Sequence, residues 1–347
     1  MKKYFVTLFL SVFCFVVQVS AQSSVIATLF HDGDIKTFYG TGALRSAHAA
    51  AVHGDVITLS SGSFTATDIT KAVTLRGAGM EYDSISVTEP TIISGDFSIQ
   101  IASDSTLQNN NLVIEGIYHN DSGSILVQGS LKNPQFVKCR LYEIRCSSSG
   151  TSGYMYYANF INCVIANEVY FHTLGSATFV NCYLYNLSQQ NNQSSHEFQN
   201  CVVIDDSFSR VYNTVFRNCF LYAKSTDSFK LPSTSPAYNC VAQSTTSSTN
   251  IFANQSNTTN TLVSSLGDVF KTWTGSSLAN FKTERLELTD AAKTKYLGSD
   301  GTQIGIYGGS IPFDPRPSNP QITKLNVASK STADGKLSVD IEVKAAE

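Results

Sequence analysis

The sequence predicts an all-β chain: a right-handed, single-stranded parallel β-helix (solenoid) with an N-terminal helical cap and a C-terminal β extension. Three observations carry this. A block of aromatic, spacer, Asn and Cys recurs as Phe160-Ile-Asn162-Cys163, Phe179-Val-Asn181-Cys182, Phe198-Gln-Asn200-Cys201 and Phe216-Arg-Asn218-Cys219, with Tyr238-Asn239-Cys240 as a shortened copy. Its cysteines lie 19, 19, 18 and 21 residues apart, too close for a helical hairpin or a propeller blade and about one coil of a β-helix. Composition agrees: 15% charged and 42% hydrophobic residues, with abundant Ser, Thr and Asn, suit a β-rich protein whose surface is polar but little charged.

Lys2 and Lys3, an apolar run over residues 4–17 and then Val19-Ser20-Ala21 read as a signal peptide (residues 1–21) cleaved before Gln22. The remainder is therefore expected to be secreted, periplasmic or at the cell surface. Cys14 follows Phe13 rather than the small residues that precede a lipidated cysteine, and no later stretch approaches the ~20 apolar residues of a transmembrane span. Without Lys2 and Lys3, 22 basic side chains face 27 acidic ones, a net charge of −5, which offers nucleic acid no attraction. Residues 24–30 read as an opening strand. Residues 43–53 read as the capping helix, with Ala43, Leu44, Ala47, Ala50 and Ala51 on one apolar face, so that strand and cap occupy residues 22–54. Solenoid coils follow over residues 55–255.

Within the coils the copies align on Cys, with Phe136-Val-Lys138-Cys139 as an earlier one. Three residues before Cys sit Phe136, Phe160, Phe179, Phe198 and Phe216; two residues after it sit Leu141, Ile165, Leu184, Val203 and Leu221. Inward residues on both sides of the Asn require the strand to bend there, and Asn tolerates the left-handed conformation that such a bend uses. Stacked Asn side chains can also hydrogen-bond along the column as an asparagine ladder. Seven cysteines remain beyond the signal peptide. They are expected to stack as free buried thiols, because parallel side-chain vectors do not give the disulfide dihedral of roughly 90°.

The outward positions of the next strand should be polar and are not. Val164, Tyr183, Val202, Phe220 and Val241 stand one residue after Cys, and Tyr142, Ala166, Tyr185, Ile204 and Tyr222 three after. A stripe of that kind needs a cover, which the C-terminal third, a protein partner or a glycan on the tyrosines would supply. Residues 256–311 read as a closing segment packed on the solenoid. In residues 312–347, Pro312, Pro315, Pro317 and Pro320 form a stiff linker. Leu337, Val339, Ile341 and Val343, alternating with polar residues, form a strand that pairs with residues 322–327 in a terminal hairpin.

The order of helix, Gly54-Asp55, β-branched strand and Gly62-Ser-Phe64 resembles the opening coil of secreted bacterial pectin-lyase-like right-handed β-helix repeat proteins. Val73-Thr-Leu-Arg-Gly77-Ala-Gly79 and Thr91-Ile-Ile-Ser-Gly95 resemble their next coils, and Leu297-Gly-Ser-Asp300-Gly-Thr-Gln-Ile304-Gly305-Ile-Tyr307 resembles their closing segment. The resemblance covers residues 25–307 and implies a shallow groove on the solenoid flank that takes acidic or neutral polysaccharides. The catalytic signatures of polygalacturonases (Asn-Thr-Asp, Gly-His-Gly, Arg-x-Lys) and of pectate lyases (Arg-x-Pro-x-x-Arg) have no counterpart.

Two kinds of site remain open. For recognition, Tyr142, Tyr183, Tyr185, Tyr222 and Trp273 offer rings to a sugar, although Trp273 equally suits packing of the C-terminal region. For catalysis the candidates are Arg140, Glu168 and Asp205. Inverting hydrolysis needs an acid and a base ~6.5–9.5 Å apart, and Asp205-Asp206 is the nearest approach. Adjacent strand residues point oppositely, so at most one of the two faces a given groove. A solvated turn and a calcium ligand are the alternatives, and no other cofactor is expected. A lyase needs a base and a cation against the substrate carboxylate; Lys132, Lys138, Arg140 and Arg145 cluster in one coil, and Arg210, Arg217, Lys224 and Lys230 follow. His172 and His196, about one coil apart beside Glu168 and Glu197, are a further acid-base or metal candidate. The expectation is an exported, non-catalytic protein that engages a polysaccharide, a surface glycan or a surface partner through the solenoid flank. A polysaccharide lyase or glycoside hydrolase with a non-standard site, and a structural assembly subunit using the apolar stripe, are the alternatives.

Overall fold

The computed structural model describes residues 25–83, 88–102, 111–120, 122–148, 151–171, 174–189, 193–224, 230–243, 250–257, 259–273, 286–316, 321–328, 330–332 and 334–344. The chain forms a parallel β-solenoid of about 9 turns with few helices. The bend that makes each coil falls on the motif Asn: φ is +53° at Asn162, +51° at Asn181, +52° at Asn200, +56° at Asn218 and +51° at Asn239, with Lys138 at +51° in the earlier copy. These are left-handed conformations that Asn reaches at lower cost than most residues. The strands on either side of the bend therefore enter different parallel sheets.

The sheet before the bend runs from Val56–Leu59 through Thr74–Arg76, Val113–Glu115, Gln135–Val137, Thr151–Ile161, Gly175–Val180, Ser195–Gln199 and Thr214–Arg217 to Ala237–Tyr238. The sheet after it, here the flank sheet, runs from Gly62–Thr65 to Thr261–Val263 and includes Arg140–Arg145, Val164–Phe171, Tyr183–Tyr185, Val202–Asp205 and Phe220–Ala223. A third, shorter face joins Phe97–Ile99, Ser124–Val127, residues 143–145, residues 168–171 and Leu187–Gln189.

Parallel register sets Phe136, Phe160, Phe179, Phe198 and Phe216 in one buried column. Their rings stack with centroids 4.4 to 5.1 Å apart. Each buried ring stabilises the fold by roughly 1.5–3 kcal/mol. Beside them runs the thiol column, and all seven described cysteines are free and buried. The thiols also bond between coils. Cys163 Sγ–H donates to the Phe136 carbonyl (3.2 Å) and Cys182 Sγ–H to that of Phe160 (3.3 Å), while the Cys163 N–H donates to Cys182 Sγ (3.4 Å). Burial pushes the thiols of Cys139, Cys146, Cys163, Cys201 and Cys240 up, which keeps them protonated.

The motif asparagines do not form the expected ladder: among the described residues no hydrogen bond joins one of their side chains to the next. Three of them, Asn162, Asn181 and Asn218, hold the closing segment instead. Asn162 Nδ2 donates to Pro312 O (3.4 Å), Asn181 Nδ2 to the carbonyls of Ile306 and Gly308 (2.7 Å each), and Asn218 Oδ1 accepts from the Ser299 N–H (3.3 Å). The segment runs as turns, and its backbone groups lack ladder partners that the amides replace. Gly305 makes its close approach possible, with φ +84° and a position where a Cβ would stand 2.9 Å from the Phe220 ring. Val164, Tyr183, Val202, Ile204, Phe220 and Val241 thereby enter a second core with Leu266, Phe270, Leu288, Ile304, Ile306 and Phe313. The chain covers its own apolar stripe, which removes these six side chains as a docking surface for a protein partner or a glycan.

Both ends depart from expectation. The opening strand Ile26–His31 forms a hairpin with Asp34–Tyr39 across Asp32-Gly33 and lies antiparallel to Val56–Leu59; Asp-Gly is a sequence signal for such a hairpin turn. The helix spans Ala43–Ala50 and buries Ala43, Leu44, Ala47 and His48, so His48 takes the inward place assigned to Ala50. At the other end the solenoid continues past residue 255, because Thr261–Val263 pairs with Val241–Gln243 in a coil without a Cys block. Thr259 Oγ1 and Asn260 Oδ1 accept the N–H groups of Asn239 and Cys240 (3.0 Å each) at the open edge. Gln321–Val327 and Val339–Lys344 form the terminal antiparallel hairpin, with Ile322 opposite Val343, Leu325 opposite Ile341 and Val327 opposite Val339.

Candidate functional site

The third face ends at Leu187–Gln189, because after Asp205 the chain turns into a 3-10 helix, Phe208–Arg210, instead of adding another strand. Asn186, at φ +66°, aims the last strand of this face. The missing strand leaves a groove of about 610 Å³ lined by Glu168, Tyr170, Asn186, Leu187, Ser188, Gln189, Asp205, Asp206, Ser207, Arg210 and Tyr212. Asp205 replaces part of the missing ladder: Oδ2 accepts from the Leu187 N–H (2.9 Å) and Oδ1 from the Ser207 N–H (2.6 Å). Gln189 ties the far side, with Oε1 accepting from the Tyr212 N–H (3.0 Å) and Nε2 donating to Thr214 Oγ1 (3.3 Å).

Burial pushes the Asp205 carboxyl up to about 6, Asp206 and Glu168 add repulsion, and the two N–H bonds pull the other way. Asp206 pairs with Lys224 (2.6 Å), whose ammonium lies 4.5 Å from the Tyr185 ring centre. Glu168 stands 3.8 Å from Arg145, which also contacts Glu143 (3.2 Å) and covers the Tyr170 ring (5.4 Å). Arg210 is exposed and has no ion-pair partner among the described residues. The groove thus combines acceptors, amides, hydroxyls, two tyrosines and one available cation, a set suited to many hydrogen bonds with a polyhydroxylated ligand.

Of the sequence-predicted residues, Glu168 and Asp205 come together in this groove. Asp206 lines it as well, against the expectation that only one of the pair could, because the strand ends at Asp205 and alternation ends with it. Arg140 is buried on the flank sheet with its guanidinium 4.9 Å from the Tyr118 ring centre and does not line the groove. Tyr142 is half-buried and also lies outside the lining. Tyr183 is fully buried under the closing segment, and Tyr185 is engaged by Lys224. Tyr222 meets Trp273 edge-on at 5.5 Å, and Trp273 stacks on Phe270 at 5.2 Å, so Trp273 packs the C-terminal segment onto the solenoid. The tyrosines do not make one recognition surface.

His196 points into the core against Phe171 (4.2 Å), and Glu197 pairs with Arg217 (3.2 Å); His172 lies outside the described residues. Among the described residues no group of three or more His, Cys, Asp or Glu is placed to hold a metal ion, and no helix is long and apolar enough to cross a membrane. Sequence reasoning missed Tyr170, Asn186, Gln189, Arg210 and Tyr212 as one site. Their common signal is the change from a third strand to the Ser207-Phe208-Ser209 turn. Comparison of the chain with protein-family models, with curated proteins and with solved structures finds no match, so the parallel β-helix is established by its own geometry and no family is assigned.

Proposed function

We propose that this is an exported, non-catalytic saccharide-recognition protein whose binding site is the groove between Glu168 and Tyr212. The observation that carries the reading is the mixed lining: carboxylates, amides and hydroxyls beside Tyr170, Tyr212 and the available Arg210. Sugar hydroxyls are donors and acceptors at once, and such a lining satisfies both. Export rests on the signal-peptide pattern of residues 1–21. A second reading, a glycoside hydrolase, is favoured by one observation. Asp205, raised to about 6 beside Glu168, matches a general acid facing a second carboxylate. Against it, both Asp205 oxygens already accept backbone N–H bonds.

A polysaccharide panel read for both binding and released reducing ends separates the two. Binding without product, weakened about tenfold or more by Arg210→Ala, is the expected outcome. Product that disappears in Asp205→Asn and Glu168→Gln would make the protein a hydrolase. Neither binding nor product would remove the saccharide assignment.

A further inference from the structure

Tyr157 occupies a corner that the rest of the solenoid gives mostly to Asn. Gly129–Lys132 pairs in register with residues 153–156, Lys132 opposite Tyr156, so Asn133 and Tyr157 turn the same corner in successive coils, at φ +52° and +56°. Asn visits this conformation readily, whereas a bulky aromatic there is an outlier that stores strain. The backbone is held in place: the Tyr157 N–H donates to Ser176 Oγ (2.7 Å), and its carbonyl accepts from Asn159 Nδ2 (3.1 Å). Burial does not offset the strain, because Tyr157 is 68% exposed.

Met155 and Ala158 fill the core on the two sides of the bend, so Tyr154, Tyr156 and Tyr157 lie on the outer side. The Tyr154 and Tyr156 rings lie near-parallel, with centroids 6.2 Å apart and planes inclined by 25°. Exposed Ser130 and Lys132 stand opposite them on the neighbouring strand. None of these residues lines the groove.

We propose that Tyr154, Tyr156 and Tyr157 form a second saccharide site, an aromatic platform that stacks on pyranose rings while Ser130 and Lys132 hydrogen-bond the ring hydroxyls. Pyranoses carry apolar C–H faces and hydroxyl edges, the pattern that flat phenol rings with a polar border complement. Hydrogen bonds to Ser176 and Asn159 hold the strained corner from within, which leaves the exposed ring itself open to a ligand. This site shares with the groove only the saccharide class of ligand.

The test is titration of oligosaccharides of glucose, mannose, xylose and galacturonic acid into wild type, Tyr157→Asn, Tyr156→Ser and Arg210→Ala. Tyr157→Asn relieves the corner, so its Tm should rise by about 2–4 °C, while binding to at least one oligosaccharide weakens by about fivefold to tenfold. Tyr156→Ser should weaken the same ligand without the rise. Loss in the tyrosine variants alone supports the platform and leaves the groove unsupported; loss in Arg210→Ala alone does the reverse and overturns the platform. Tyrosine variants that bind every sugar as wild type does, or a wild type that binds none, also overturn it.

Discussion

At the residue scale, the bend at each motif Asn was legible because inward residues on both its sides leave no other backbone solution. Asn200 sits at φ +52°, and Asn200→Val forces a β-branched residue into that corner. It should destabilise the protein by about 1–3 kcal/mol in urea unfolding; an unchanged midpoint would remove the bend from the list of stabilising features. His196 was legible as a histidine near carboxylates but not as a core residue. Its ring nitrogens have no hydrogen-bond partner among the described residues, and burial pushes its pKa down to about 3. The fold therefore holds the neutral ring. Its contribution is complete above the unfolded value of 6.5 and is lost as pH falls through about 3, about 4 kcal/mol of it between pH 7 and pH 3. The stability of wild type relative to His196→Leu should fall by that much from pH 7 to pH 3, and a pH-independent difference would contradict the assignment. Asp205 works in the opposite direction. Its raised pKa gives stability that is present below 3.8 and lost as pH rises through about 6, about 3 kcal/mol, a component that Asp205→Asn should abolish.

At the element scale, the repeated strands were legible because five Phe, six Cys and five Asn in register leave one parallel stacking. The need for a cover over Val164, Val202, Phe220 and Val241 followed from their outward positions, but the manner of docking did not, since it depends on irregular backbone meeting the Asn amides 81 to 150 residues away. Gly305 is the point where that docking is most exposed to substitution. Gly305→Ala should detach the closing segment locally, costing about 1–3 kcal/mol. Hydrophobic-dye binding should rise while the β-sheet circular dichroism stays; a protein that binds no more dye than wild type would show that Phe220 can yield. The third face was illegible for a physical reason. Its strands are about three residues long, too short for alternation to register, and their order is set by register shifts such as that between Leu141 and Glu143.

At the scale of the whole molecule, the solenoid distributes its chemistry unevenly. The interior is a column of aromatic rings and free, buried cysteines, so denatured, unreduced protein should take up alkylating agent at every cysteine beyond the signal peptide; a mass showing any pair protected would contradict the free-thiol column. One flank is sealed by the chain's own closing segment, which leaves the third face and its terminal groove as the polar opening. Glu168 and Asp205 were legible as candidates by residue type, and the groove itself was not, because it exists through a strand that the chain fails to add. The central claim is that this gap binds saccharide. The most direct measurement is hydrogen–deuterium exchange across the described chain with and without the tightest oligosaccharide of the panel. The expected result is protection concentrated in residues 186–189 and 205–212, with a second patch at residues 154–157 if the platform contributes. Protection absent from residues 186–189 and 205–212 at saturating sugar would contradict the account.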